Sequence, residues 1–241
     1  VGIIETCIDY QHEDLGDNIW QNLDEDADGD GRTLEYINGH WQLDPDDLDG
    51  IDADQNGYVD DLIGWDYINN DNNPMDDNGH GTHVAGIMGA KGNNGVGISG
   101  VNWEISMTVL KAFDAKGAGS TASTLAALEY AREKGIRLTN NSWGGPNRSA
   151  FLKEELKLHR QDGILCVAAA GNNGQNIRRN PIYPASYQLN NIISVAAIDS
   201  SHTLASFSNH GKRDVDMAAP GDNIYSTLPG NSYGYLSGNT M

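Results

Sequence analysis

The stretch Asn78-Gly79-His80-Gly81-Thr82-His83-Val84-Ala85-Gly86 is where residue types and spacing most clearly suit chemistry. A histidine flanked by glycines, ahead of small residues of helical character, is exposed and closely approached by backbone. That setting suits a general base better than a core position. His83, further along the same helix, reads as a packed and internally hydrogen-bonded residue. His12, His40, His159, His202 and His210 carry no assignment. A second chemistry lies upstream. Asp24, Asp26, Asp28, Gly29 and Glu35 match the loop D-x-[DN]-x-[DN]-G-x5-E in full. Alternate residues of such a loop point inward, the glycine permits the bend, and the distal Glu can close on a hard cation that needs six to eight oxygens. Asp52, Asp54, Asn56 and Gly57 repeat the front half, but Ile63 stands where the Glu belongs, so Asp60 and Asp61 are the expected later ligands. The cation these oxygens suit is calcium in a structural role, which implies a calcium-rich, extracellular setting and a secreted protein.

Charge supports that reading. Residues 1–80 hold 23 acids against the single Arg32, while residues 81–241 hold 11 acids against 14 bases. Trp20, Tyr36, Trp41, Tyr58, Trp65 and Tyr67 are interleaved with the early carboxylates, unlike a disordered acidic tract. A net charge of −19 leaves no basic face for phosphates, so nucleic acid is excluded. Apolar runs fall well short of the roughly 20 residues that span a membrane. The two cysteines make no disulfide framework.

The elements that must position these residues follow from residue 82 onward, where short β-branched runs alternate with helical patterns, the signature of βαβ units. Strands are expected at 1–4, 106–111, 137–140, 164–169, 192–197 and 215–218. Helices are expected at 83–90, 121–134 and 150–161, the middle one carrying Leu125, Leu128 and Ala131 and stopping at Gly135. This predicts a single α/β domain over 1–241, a three-layer open sheet, mostly parallel, with helices on both faces. Residues 16–79 lack that rhythm and are expected as an acidic loop insertion laid over the sheet edge and organised by metal. The chain opens inside an apolar strand-like run and closes at Met241 just after a Gly-rich turn where a helix is expected to start. Both ends therefore read as fragment boundaries.

With His80 set beside Val1–Asp9, Asn141–Pro146, Ala168–Asn173 and Ser237–Met241, the sequence resembles the subtilisin-like serine peptidases (subtilases, peptidase family S8), in the family's order of acid, histidine, nucleophile. The resemblance implies a site at the carboxyl ends of the strands and an extended polypeptide, substrate or ligand, paired with an exposed edge of a monomer. It implies Asn172 as the oxyanion donor. It makes Ser142, Trp143, Gly144, Ala169, Ala170 and Gly171 the substrate-binding segments, and Asp14 with Asn94 a third calcium site. The family's Asp-Thr/Ser-Gly appears here as Glu5-Thr6-Cys7, and its Gly-Thr-Ser-Met as Gly238-Asn239-Thr240-Met241. The catalytic positions thus read Glu5, His80 and Thr240.

These substitutions have physical consequences. The extra methylene of Glu5 displaces its carboxylate by about 1.5 Å, and a displacement near 1 Å can cost on the order of a hundredfold in rate. Thr240 adds a β-methyl to a tight turn and restricts the rotamers that present its hydroxyl. Asn239 brings an amide that competes for hydrogen bonds. Cys7, two residues from Glu5, offers an alternative thiol nucleophile. Three readings follow: a pseudoprotease that retains a peptide cleft, which is favoured; an endopeptidase that uses Thr240; or a fragment of an ordinary subtilase.

Overall fold

The computed structural model describes all 241 residues. Its strands are β1 Gly2–Glu5, β2 Leu34–Ile37, β3 His40–Leu43, β4 Gly64–Asp66, β5 Thr108–Lys111, β6 Leu138–Asn141, β7 Leu165–Ala169, β8 Ile192–Ile198, β9 Met217–Pro220, β10 Ile224–Leu228 and β11 Ser232–Leu236. Its helices are α1 His80–Gly89, α2 Thr121–Glu133 and α3 Ala150–Gln161. The main sheet has seven strands in the order β4-β5-β1-β6-β7-β8-β9. β4 with β5, β1 with β6, β6 with β7, β7 with β8 and β8 with β9 all pair in parallel. Helices α2 and α3 provide the crossovers that parallel neighbours require. The protein is therefore an α/β fold built on a mostly parallel sheet.

The chain divides into two compact units, one of Val1–Ile4, Thr124–Tyr225 and Gly234–Met241, the other of Glu5–Ser123 and Ser226–Tyr233. In the first, the buried apolar side chains of the sheet come from β1, β7 and β8, while β6 buries the polar Thr139 and Asn141 and β9 is largely exposed. Ile3, Ile4, Cys166, Ala168 and Ala196 are all buried. Helix α3 starts where predicted because the Ser149 hydroxyl accepts the Leu152 N–H at 3.2 Å, an N-cap. It packs through Leu152 and Leu156, with His159 and Glu155 buried beside them. Helix α2 buries Leu128 and Ala131, and Gly135 at φ 66° ends it with Gly135 N–H on the Arg132 carbonyl.

In the second unit the buried strand β5 and the short β4 flank the end of β1, where Ala112 N–H donates to the Glu5 carbonyl at 3.0 Å. Two expectations change here. Residues 16–79 are more than loop, because they supply the hairpin β2-β3 and the edge strand β4. Strand β4 lies so close to β5 that a Cβ on Gly64 would meet the Val109 carbonyl oxygen at 1.9 Å. Helix α1 begins at His80 rather than at 83. Gly79 turns left-handed at φ 102°, and the Asp76 carboxylate accepts the N–H groups of Gly79 and Thr82 that a helix start leaves open. His83 is fully buried in α1, and its carbonyl accepts the Ser226 hydroxyl.

Candidate active site

Glu5 closes β1 and His80 opens α1, so the two side chains meet where a strand end faces a helix start. The His80 Nδ1–H donates to Glu5 Oε2 at 2.9 Å, with the Glu5 side chain 3% and the His80 side chain 26% exposed. The longer Glu side chain therefore reaches the ring. Its second oxygen, Oε1, is buried without a hydrogen-bond partner, a cost that a fully satisfied carboxylate does not carry. The approach needs glycine at 81, where a Cβ would lie 2.0 Å from the Cys7 carbonyl oxygen and 3.0 Å from Glu5 Cβ. Burial opposes charge on His80. The charge of Glu5, its hydrogen bond and the charge of Asp76 outweigh burial and raise the imidazole above the ordinary histidine range. This pair is suited to hold a proton on Nδ1, leaving Nε2 to act as base. Cys7 is fully buried at φ 138°, and burial first, then Asp76, pushes its thiol well above the ordinary range. It is not an activated nucleophile.

The other unit builds the Gly238-to-Met241 turn. Gly238 N–H donates to the Gly221 carbonyl at 2.8 Å, and Asn239 N–H donates to Asn172 Oδ1 at 2.8 Å. In the orientation that satisfies both ends of its amide, Asn239 donates to the Gly171 carbonyl and to Asn172 Oδ1 and accepts from Ala197 N–H and the Ser208 hydroxyl. Asn172 thus has its oxygen committed, and its Nδ2 is what remains to donate. A Cβ on Gly238 would lie 2.6 Å from Thr240 Oγ1 and 3.4 Å from Asn172 Nδ2, so a larger residue there would displace the Thr240 hydroxyl. The Ser142 hydroxyl ties the turn down by donating to the Thr240 carbonyl at 3.0 Å, while accepting from Asn140 Nδ2. Ser142, Trp143, Gly144, Ala169, Gly171, Asn172 and Thr240 line one cavity of about 270 Å³. Ala170 is fully buried and does not line it. Gly145 and Tyr183 exchange backbone hydrogen bonds of 3.0 and 2.8 Å, fixing the segment that carries Trp143 and Gly144.

A family model, the Subtilase family, matches residues 1–241. The chain belongs to the subtilase family. Subtilisin-like protease 1 of Plasmodium falciparum (isolate 3D7) is 34% identical over 99% of the chain and 35% of its own length. Thermophilic serine proteinase of Bacillus sp. (strain AK1) is 42% identical over 80% of the chain and 46% of its own length. The chain thus spans about a third to a half of these curated relatives. A cold adapted subtilisin-like serine proteinase of known crystal structure matches with a TM-score of 0.69 and 26% identity, over 100% of the chain and 69% of that protein's chain. Fold and family are those of a subtilisin-like serine protease domain.

The acidic region of this subtilase gathers carboxylates into three groups, Glu25 with Asp54 and Asp61, Asp26 with Asp28 and Asp47, and Asp30 with Glu35 and Asp44. Within each, one oxygen per residue lies within 4.8 Å of the others. The twelve-residue loop is therefore divided. Asp26 and Asp28 fall in one group, Glu35 in another and Asp24 in neither, because β2 carries Glu35 away along the hairpin. Asp54 and Asp61 do come together, and Asn56 Nδ2 donates to both. Asp52 accepts from Asn56 and Gly57 N–H, and Asp60 from Gly50 N–H. Asp14 accepts from Asn94 Nδ2 at 2.8 Å and from Ile98 N–H at 2.9 Å. The sequence reading missed Glu25, Asp30, Asp44 and Asp47. Asn38-Gly39, a hairpin signal at φ 54° and 90°, was the clue that would have brought Asp44 back beside Asp30.

Proposed function

We propose that this subtilase is a strongly impaired serine-type endopeptidase, a pseudoprotease that keeps a cleft for extended polypeptide and turns over little. The buried, unpartnered Glu5 Oε1 carries the impairment in this reading, while the 2.9 Å bond from His80 to Glu5 supports an acid and histidine still held as a pair. In the proposed chemistry the Thr240 hydroxyl attacks the scissile carbonyl and His80 Nε2 takes its proton. Glu5 stabilises the resulting imidazolium, and Asn172 Nδ2 donates to the oxyanion. His80 then returns the proton to the leaving amine, and water hydrolyses the threonyl ester. Impairment enters at Thr240, whose β-methyl restricts rotamers, and at Glu5, whose Oε1 lacks the donor that would fix the carboxylate. Ser142, Trp143, Gly144, Ala169 and Gly171 are the proposed peptide contacts.

A second reading, an active endopeptidase with Thr240 as nucleophile, is favoured by the same short bond, since Glu5 spans the distance to Nδ1 despite its length. Titration with a serine-directed fluorophosphonate separates the two. The pseudoprotease labels far below one equivalent, whereas stoichiometric labelling at Thr240 establishes the second reading.

We also infer structural calcium. The residues fit a hard cation: each group is all oxygen, and Asp47 Oδ2 is buried without a hydrogen-bond partner beside Asp26 and Asp28. Burial, with the charges of nearby Asp61 and Asp54, raises the Glu25 carboxyl to about 7, a crowding that a bound cation would relieve. The Asp26, Asp30 and Glu25 groups would hold the ions, with Asp14 and Asn94 a further candidate. Bound calcium would neutralise the groups and tie the hairpin to its neighbours. An extracellular setting and a monomer complete the proposal. No helix is long and apolar enough to cross a membrane.

A further inference from the structure

Asp76 is a buried carboxylate, 6% exposed, that the scheme above leaves unused. Five donors converge on it. Oδ1 accepts the Thr6 hydroxyl at 3.0 Å and the N–H groups of Asn78 at 3.0 Å and Gly79 at 2.9 Å. Oδ2 accepts the Thr82 N–H at 3.0 Å and its hydroxyl at 2.5 Å. One carboxylate therefore grips both Thr6, the residue next to Glu5 at the end of β1, and the first turn of α1, which opens on His80. Thr6 is the link. Its hydroxyl donates to Asp76 while accepting Gly81 N–H at 3.0 Å, its own N–H donates to Glu5 Oε2 at 3.1 Å, and its carbonyl accepts buried Lys111 Nζ at 2.6 Å. The residues on either side of the Glu5 to His80 bond are thus pinned to one another rather than to solvent.

We propose that Asp76 is a positioning residue that, through the Thr6 hydroxyl, holds Glu5 in register with His80. The inference rests on the reading of Glu5 and His80 as the acid and base. It explains how a carboxylate one methylene too long still meets Nδ1, because the Thr6 peptide donates to the same oxygen that the imidazole uses. Helix capping alone would account for the N–H groups of Gly79 and Thr82, but not for the bond across to Thr6. Asp76 does add its charge to the raised imidazole, so substituting Asp76 itself mixes charge with position. Thr6 separates them, since removing its hydroxyl changes no charge.

The test is the His80 pKa and its low-field Nδ1 proton signal, by NMR on the full chain, for Thr6→Val, Thr6→Ala, Thr6→Ser and Glu5→Gln, with melting temperatures alongside. Glu5→Gln lowers the His80 pKa by on the order of one unit or more. Whichever of Thr6→Val and Thr6→Ala folds moves it the same way by at least about a third of that shift and broadens the low-field signal, and Thr6→Ser restores both. If the hydroxyl-less variants melt earlier while pKa and proton signal stay native, Asp76 is only a helix cap and the proposal is overturned. If Glu5→Gln itself leaves His80 unmoved, the acid-base reading beneath the proposal fails instead.

Discussion

Replacing Glu5 by Gln keeps the shape of the site and removes its charge, so it isolates what the carboxylate does for His80. The Nδ1 to Oε2 distance is 2.9 Å and Glu5 is all but excluded from solvent. Unit charges about 3 to 4 Å apart attract by roughly 4 to 5 kcal/mol at an effective dielectric constant near 20. The partly open face of His80 and its own desolvation oppose this, and the net effect still holds the imidazole above the ordinary histidine range. The sign follows from the base's role. His80 must be neutral to accept a proton, so activity climbs as pH rises through its raised pKa. In Glu5→Gln that limb moves toward acid, while the plateau falls about 10³- to 10⁴-fold, because the imidazolium formed in the transition state loses its partner and its tautomer is no longer fixed. The assay is kcat/KM against pH in an Asn239→Thr, Thr240→Ser background, where turnover is measurable. A limb that stays in place, or a plateau loss below tenfold, refutes the assignment of Glu5.

Chelator should lower the melting temperature. At free calcium 100 times Kd, one site contributes about 2.7 kcal/mol. At roughly 2 to 4 °C per kcal/mol for a chain of this size, that is about 5 to 10 °C, and an unchanged melting temperature removes the calcium proposal. Alkylating reagents at pH 8 should leave the native thiols untouched and modify both in denaturant, since burial raises Cys7 well above its ordinary range and Cys166 to about 12. Fast native-state labelling of Cys7 contradicts this. His159 is fully buried, with Nε2 on the Leu128 carbonyl at 2.9 Å, and burial depresses its pKa despite that bond and nearby Glu155. The fold therefore favours neutral His159. Its stability contribution is complete above the unfolded histidine pKa and is lost as pH falls toward the depressed folded value. Denaturant titrations should show that loss in the native chain and a shallower one in His159→Gln.

What the sequence reveals here is what local chemistry decides. Strands β1 and β5 were legible because a strand buried on both faces is written as a short apolar, β-branched run, and helix α2 because Leu125, Leu128 and Ala131 recur at three-residue steps and Gly135 stops it. His80 stood out through its glycines, and the structure gives them a reason, with Gly79 turning left-handed and Gly81 leaving room for β1. The failures were nonlocal. Three-residue β4 is too short to carry a pattern and exists because β5 lies beside it. The acidic loop matched a twelve-residue template, yet two of its partners, Asp44 and Asp47, return only after the β2-β3 hairpin. Asp76 was invisible for the same reason, since its Thr6 partner lies 70 residues away.

The central claim is that a competent subtilase scaffold is held back by its catalytic substitutions. It is tested most directly by hydrolysis of an unfolded protein substrate in millimolar calcium, comparing the native chain with a Glu5→Asp, Asn239→Thr, Thr240→Ser variant. The account predicts that the variant cuts while the native chain is slower by orders of magnitude. Equal hydrolysis by both, or a folded variant that does not cut, contradicts it.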